Sequence, residues 1–308
     1  MTLDDPPCAE TLVLDGGSFF EAPRWHRGSW WASDMFAGEV RSVESETGTA
    51  SAVSVEGRPS GLGWLPDGTM LVISMNERKI LATGPQGSRV YADLAGEVGS
   101  DLNDMIVDHA GYAWVGFFGF DFGGGADPVP GGLLRIAPDG AVQHVGYDLM
   151  VPNGMVLCDH GTTLVVAETL ASRLTAFTIG PDGTLSDRRT WAQWGPAPSP
   201  GTLRDTLGRL QMAPDGITVD REDGIWIADA IGGACHRVNS RGQSTDVVRA
   251  PEGLSAFACA LGGPDGRTLV LCCAPDASAK RRRRARESIL VGTEVLIPAS
   301  RRAAGPPA

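Results

Sequence analysis

Four residues have the types and spacing to do chemistry: Glu21, Asn103, Asn153 and Asp215. Each stands at the head of a short apolar run, as in "PNGMVLCDHGTTLVVAE" from Pro152 and "PDGITVDREDGIWIAD" from Pro214. Together they offer two carboxylates and two carboxamides. Gathered at one point in a folded chain, those groups would repel one another or go unsatisfied without a partner. A hard divalent cation resolves the conflict, and an oxygen-only donor set selects calcium, magnesium or manganese over softer metals. No histidine or cysteine joins the four, so a zinc-type site is less natural, although zinc accepts oxygens. A plainer reading is that Asn-Gly and Asp-Gly are turn residues. Glu21-Ala-Pro is not a turn signature, however, and the four positions share one phase.

That phase comes from an internal repeat. "SGLGWLPDGTMLVIS" from Ser60, "LNDMIVDHAGYAWVGFF" from Leu102 and "FACALGGPDGRTLVLCC" from Phe257 follow the same plan as the two stretches above. Each gives an apolar strand, a turn rich in Asp and Gly, and a second apolar strand, which is a hairpin signal. "EAPRWHRGSWWASDM" from Glu21 fits less cleanly but makes a sixth unit. Third strands follow the hairpins, as in "GGLLRIAPDG" and "SRLTAFTIGPDG". Unit starts lie roughly 40 to 60 residues apart, which is repeat spacing, and four strands per unit indicate a propeller. An α/β fold needs helices of about 10 or more residues between its strands, where this chain has turn signals.

The expected fold is therefore all-β: one domain, 1–308, forming a six-bladed β-propeller with four-stranded antiparallel blades. "ETLVLDGG" near residue 10 and "SILVGTEVLIP" near residue 290 are the expected partners in a closing blade shared by the two ends of the chain. The first strand of each blade lines the central channel. The residue just before it then lies at the channel mouth, which places Glu21, Ser60, Asn103, Asn153, Asp215 and either Ser255 or Phe257 around one axis.

Composition limits the function classes. The 308 residues are 42% hydrophobic, enough for a substantial core. Their 41 glycines and 21 prolines suit a fold of many tight turns. Net charge is −11, and six of the 26 basic residues crowd into "KRRRRAR" at 280–286, so the rest is more acidic still. An acidic body argues against a nucleic-acid groove. The basic run reads as an exposed loop of the last blade, with a nuclear-localisation-like or polyanion-binding patch as the alternative. The six cysteines form no C-x-x-C pair. The beginning "MTLDDPPCAETLVLDGG" has neither a basic n-region nor an apolar h-region, and no apolar run is long enough to span a bilayer. The expectation is a cytoplasmic protein, monomeric or weakly self-associating, with a small-molecule substrate and no nucleic-acid or membrane partner.

In this order and spacing, "EAPRW", "RPSGLGWLPDG", "LNDM", "VPNGM", "PDGITVD" and "FACALGGPDGRTL" resemble the SMP-30/gluconolactonase/regucalcin-like family. The resemblance runs from about Leu12 to Pro298. It implies a six-bladed propeller holding one divalent cation, calcium first, with magnesium, manganese or zinc as alternatives. It implies metal ligation by Glu21, Asn153 and Asp215, with Asn103 beside the metal as a substrate contact or fourth ligand. It further implies Asp215 as general base in the hydrolysis of a lactone or related cyclic ester. The alternatives are a metal- or ligand-binding propeller without turnover, and a biosynthetic propeller that opens or rearranges an unusual cyclic intermediate.

One position departs from that pattern. Sugar lactonases of this kind often carry an arginine two residues before the asparagine of "NDG", where it contacts substrate hydroxyls. Here that residue is Asp101, which only accepts hydrogen bonds. The next loop, "GFFGFDFGGGADPVPGG" at 116–132, has two readings. It is either a mouth cover whose Phe117, Phe118, Phe120 and Phe122 make an apolar substrate wall, or an inter-strand loop with core aromatics. The insertion at 194–211 is a second candidate lid, with a short helix expected around Leu203–Leu210.

Overall fold

The computed structural model describes residues 10–84, 86–196 and 201–300. Cys8, most of the N-terminal stretch and residues 197–200 of the 194–211 insertion lie outside the described residues.

Six four-stranded antiparallel sheets form a six-bladed propeller. The first sheet comprises β2 (Phe20–His26), β3 (Ser29–Asp34), β4 (Glu39–Glu44) and β5 (Ala50–Ser54). The second comprises β6 (Pro59–Trp64), β7 (Met70–Ser74), β8 (Lys79–Gly84) and β9 (Gly87–Asp93). The third comprises β10 (Leu102–Val107), β11 (Ala113–Phe117), β12 (Gly131–Ile136) and β13 (Val142–Leu149). The fourth comprises β14 (Pro152–Cys158), β15 (Thr163–Glu168), β16 (Arg173–Ile179) and β17 (Leu185–Gln193). The fifth comprises β18 (Pro214–Val219), β19 (Ile225–Asp229), β20 (Ala234–Val238) and β21 (Ser244–Arg249). In the last sheet β22 (Ser255–Gly262), β23 (Thr268–Ala274) and β24 (Ser288–Glu294) are joined by β1 (Thr11–Gly17) from the other end of the chain. Thr11 lies opposite Gly292 and Leu14 opposite Leu290, which removes the open edge that a last blade would otherwise present.

The strand heads share one irregularity. In each blade the pairing of the first two strands slips by one residue just past the start. The slips fall between Glu21 and Arg24, Pro59 and Leu62, Leu102 and Met105, Pro152 and Met155, Pro214 and Ile217, and Ala256 and Ala258. A β-bulge bends its strand and re-aims the side chains beside it. The second residue of each inner strand lies at the edge of this slip or within it: Glu21, Ser60, Asn103, Asn153, Asp215 and Ala256. The oxygen-bearing residues therefore lie inside the strands and not before them. The sixth place belongs to Ala256, where the sequence pointed to Ser255 or Phe257.

Asn153-Gly154 and Asp215-Gly216 are consequently not turns. Their glycines serve close approach. A Cβ on Gly154 would lie 2.4 Å from the Ile217 backbone nitrogen and 2.8 Å from the Asp215 carbonyl oxygen on the neighbouring inner strand. True hairpin turns follow further along, and Asp159, His160 and Gly161 there all take left-handed φ values of 48°, 59° and 86°.

The interior is packed between neighbouring blades. One apolar cluster joins Leu71, Ile73 and Ile80 of the second blade to Met105, Val115 and Leu134 of the third. Another ties Trp226 and Ala228 to Cys259, Leu269 and Leu271 across the fifth and last blades. In this up-and-down meander the connections 118–130, 194–213 and 275–287 all open on the face where the inner strands begin. The second carries α1 (Leu203–Leu207), inside the expected range, and the third carries α2 (Ala279–Arg282). No helix of the described residues is long and apolar enough to cross a membrane.

Candidate functional site

The second-position residues are set by a chain of hydrogen bonds that runs from blade to blade. Ser33 Oγ donates to the Ser60 carbonyl at 2.6 Å, and Ser60 Oγ donates to the Asn103 carbonyl. Asn103 Nδ2 donates to the Pro152 carbonyl at 3.0 Å. Asn153 Nδ2 donates to Thr169 Oγ1 at 3.3 Å, and that hydroxyl donates to the Pro214 carbonyl at 2.8 Å. Both amide nitrogens are thus engaged by the scaffold, which leaves the amide oxygens as the groups available to a ligand.

The carboxylates are less well served. Among the described residues Glu21 accepts from its neighbour's backbone alone, Ala22 N at 3.2 Å, and Ala22 holds a left-handed φ of 47° there. Burial pushes the Glu21 carboxyl well above the usual carboxylate range, and the charges of Asp215 and Asp104 push it further. Burial likewise raises Asp215, with Asp104 adding to the effect, while a side-chain hydrogen bond from Asn153 works against it. Asp215 is buried and Glu21 partly so, and the two carboxyls are close enough to repel and short of positive charge.

Two residues with no chemical role in the sequence reading enter here. Asp104, the residue after Asn103, is 8% exposed and supplies the third negative charge. Arg24 pairs with it at 3.2 Å and also donates to the carbonyls of Met105 (2.9 Å) and Pro23 (2.9 Å). Their positions, one after Asn103 and three after Glu21, were the available signal. Among the described residues Arg24 is the cation that bears on Glu21, against the charges of Asp215 and Asp104. This deficit is what a divalent cation would correct, so the donor set of Glu21, Asn153 and Asp215 fits one. Among the described residues no three His, Cys, Asp or Glu side chains converge as a metal cluster by themselves, so the set needs its amide oxygen.

Asp101 lies one residue ahead of β10, and its carboxylate accepts from Arg58 Nη2, one residue ahead of β6. The Asp101 carbonyl accepts from Phe118 N at 3.1 Å. A Cβ on Gly123 would be 3.9 Å from Arg58 Nη1, so the guanidinium lies against the 118–130 loop. An arginine therefore does stand beside Asp101, delivered from the adjacent blade. Within the loop Phe118 and Phe120 are each 6% exposed and belong to the apolar cluster of the second and third blades. Phe122 stacks on Phe118 at 5.2 Å and is the more exposed. Phe117 packs edge-on against His144 at 6.3 Å. Leu203 and Leu210 of the 194–213 connection pack on that same cluster, and Gly125 with Thr202, Leu203, Arg204 and Leu207 borders a cavity of about 360 Å³. The two loops thus meet over one side of the mouth.

Comparison with known proteins agrees with this architecture. The model of the SMP-30/gluconolactonase/LRE-like region matches residues 19–274. The chain belongs to this family. Lactonase drp35 of Staphylococcus aureus is 26% identical over 249 residues, covering 78% of this chain and 70% of that protein. Pentonolactonase XacC of Haloferax volcanii is 26% identical over 249 residues, covering 80% and 78%. Among solved structures, regucalcin from Agrobacterium tumefaciens superposes with a TM-score of 0.77 at 19% identity, covering 97% of this chain and 98% of that one. The curated relatives named here are lactonases, whereas the structural likeness at that identity speaks for the fold alone.

Proposed function

We propose that this family member is a divalent-cation-dependent lactonase acting on a lactone or related cyclic ester. The observation that carries the reading is the pair of charge-deficient carboxylates, Glu21 partly buried and Asp215 buried, at the same position of two inner strands. The lactonase activity named for the two curated relatives supports the reaction class. Calcium is the first choice, given the all-oxygen donor set and a structural neighbour that is a calcium-binding protein. Glu21, Asn153 and Asp215 would hold the ion. When bound, it would polarise the ester carbonyl and lower the pKa of a water.

The chain's own residues do the rest. Asp215, beside the ion, would take the proton of the attacking water as general base. Glu21 holds the second negative charge. Asn103 and Asn153 cannot titrate, so they position. Asn103, tied to Pro152, keeps its amide oxygen fixed against a substrate beside the Arg58–Asp101 pair.

The test is metal content by mass spectrometry, then rigorous chelation and add-back of calcium, magnesium, manganese or zinc, with a lactone panel assayed at each stage. Hydrolysis should disappear on chelation and return with the ion. Asp215→Asn should lose turnover far more than affinity for the hydrolysis product. Hydrolysis that persists with no bound metal overturns the reading, and bound metal without hydrolysis of any panel member indicates a binding protein instead.

A further inference from the structure

The basic run at 280–286 occupies the 275–287 connection, on the same face as Glu21. Two contacts fix it there. Arg286 Nη1 lies 3.6 Å from Asp34 Oδ2, and the Arg283 guanidinium lies 5.8 Å from the centre of the Phe36 ring. Asp34 pairs across β2–β3 with Phe20, the residue before Glu21, and its carboxylate also accepts from Ser18 N and Phe19 N. Arg286 is therefore one strand pair away from the candidate metal ligand.

The loop is ordered by its own contacts. Arg282 is buried within it, its side chain 4% exposed, with Asp276 at 3.3 Å and Glu287 at 2.9 Å. Asp276 also accepts from Arg281 Nε at 2.9 Å and from Ser278 N at 2.7 Å. Even so, donors outnumber acceptors. Arg282 Nε has no hydrogen-bond acceptor among the described residues, while its Nη1 is the atom paired with Glu287. Lys280 and Arg284 are exposed and reach no described side-chain partner. Against six cations the loop holds two carboxylates, Asp276 and Glu287, in a chain whose net charge is −11.

A solvated basic loop needs no particular address. This one opposes the sign of its own protein and opens on the face where the inner strands begin, tied to Asp34 beside the head of β2. We propose that the 275–287 loop is an anion subsite at the rim, and that the substrate carries a phosphate or carboxylate group in addition to its cyclic ester. Lys280, Arg283, Arg284 and Arg286 attract and hold that group, with Arg282 as the internal strut. The acidic remainder of the surface disfavours a long polyanion such as nucleic acid, so the occupant is a small anionic substrate. This inference rests on the lactonase reading for its substrate.

The test compares D-glucono-1,5-lactone with its 6-phosphate, an otherwise identical ester. Wild-type protein should prefer the phosphorylated lactone by at least about tenfold in kcat/KM, and added salt should erode that preference. In Lys280→Glu/Arg284→Glu, whose side chains support no other contact, the preference should collapse at least about tenfold. No preference, a preference indifferent to salt, or one unchanged in the variant overturns the subsite. A second arm needs no turnover: calorimetric binding of 6-phosphogluconate against gluconate. Tighter binding of the phosphate, lost in the variant, supports the subsite even if neither lactone is hydrolysed, which would sink the lactonase reading alone. Equal binding of both acids overturns the subsite whatever the catalytic result. Tight binding of a single-stranded oligonucleotide that outcompetes 6-phosphogluconate would likewise overturn it in favour of a polyanion partner.

Discussion

Arg58 and Asp101 form an ion pair between neighbouring blades, each one residue ahead of the inner strand that it introduces. Both side chains are about three-quarters buried, with exposures of 24% and 28%. The pair sets an Asp acceptor beside an Arg donor two residues ahead of Asn103 in the chain. A hydroxyl both donates and accepts, so a donor and an acceptor side by side suit ring hydroxyls. The sequence alone sets Asp101 against a sugar-type lactone. The pair returns a guanidinium to that corner.

Arg58→Leu is therefore expected to lower kcat/KM for a hydroxylated lactone by about 10- to 100-fold, the scale of a hydrogen bond from a charged group. An unsubstituted lactone such as δ-valerolactone should lose much less. Asp101→Asn should follow the same order with a smaller loss, since Arg58 remains but is no longer anchored. Steady-state kinetics on the two lactones checks this, together with metal content to show that the ion site is intact. Equal losses on both substrates would remove the pair from specificity.

The charge deficit at Glu21 and Asp215 makes a stability prediction that needs no substrate. Without a cation, the two carboxyls repel each other and Asp104. Removing one negative charge should then relieve repulsion. Chelated Asp215→Asn should melt above chelated wild type at pH 7.5, while metal-loaded wild type should melt above both. Melting curves with and without chelator decide the matter. If chelated Asp215→Asn is the less stable, the pair does not carry unbalanced charge.

Gly154 tests the packing of the inner ring. An added Cβ meets Ile217 N at 2.4 Å, and backbone atoms do not yield as a flexible side chain does. Gly154→Ala should cost about 1–3 kcal/mol or more through overpacking and should disturb Asn153 and Asp215 on either side. Gly99→Ala is the control, because a Cβ there meets nothing within 4 Å. Chemical denaturation of both variants gives the comparison. Similar midpoints would show that the inner strands can separate without cost.

The repeat was readable because apolar strands and Asp-Gly turns recur on a fixed plan. Four of the six ring positions announced themselves as oxygen donors in phase. Their exact setting was not readable. Asn-Gly and Asp-Gly are strong turn signals, yet Gly154 is there because a neighbouring strand passes too close for any side chain. The bulge shifts the period by one residue, which is why the sixth place falls to Ala256. Arg24–Asp104 and Arg58–Asp101 were out of reach for another reason. Each joins residues on different blades, 80 and 43 positions apart, and only closure of the ring brings them together.

At the far end of β2, His26 stacks on Trp64 with ring centres 4.2 Å apart and planes 6° from parallel. Burial, with the charge of Arg27 acting in the same direction, lowers its pKa to about 4. The folded protein thus refuses a proton that the unfolded chain accepts near pH 6.5. Between about pH 6.5 and about 4 the unfolded state binds more protons, so stability is held above that window and falls as pH drops through it. His236, lowered by its own burial, adds to the same slope. In His26→Phe the ring stack is kept and the proton site is gone. The drop in Tm between pH 7 and pH 5 should be smaller in this variant than in wild type, with His236 accounting for part of what remains. Identical drops would show that His26 is protonated without leaving the stack, and that burial at the end of β2 does not set its charge.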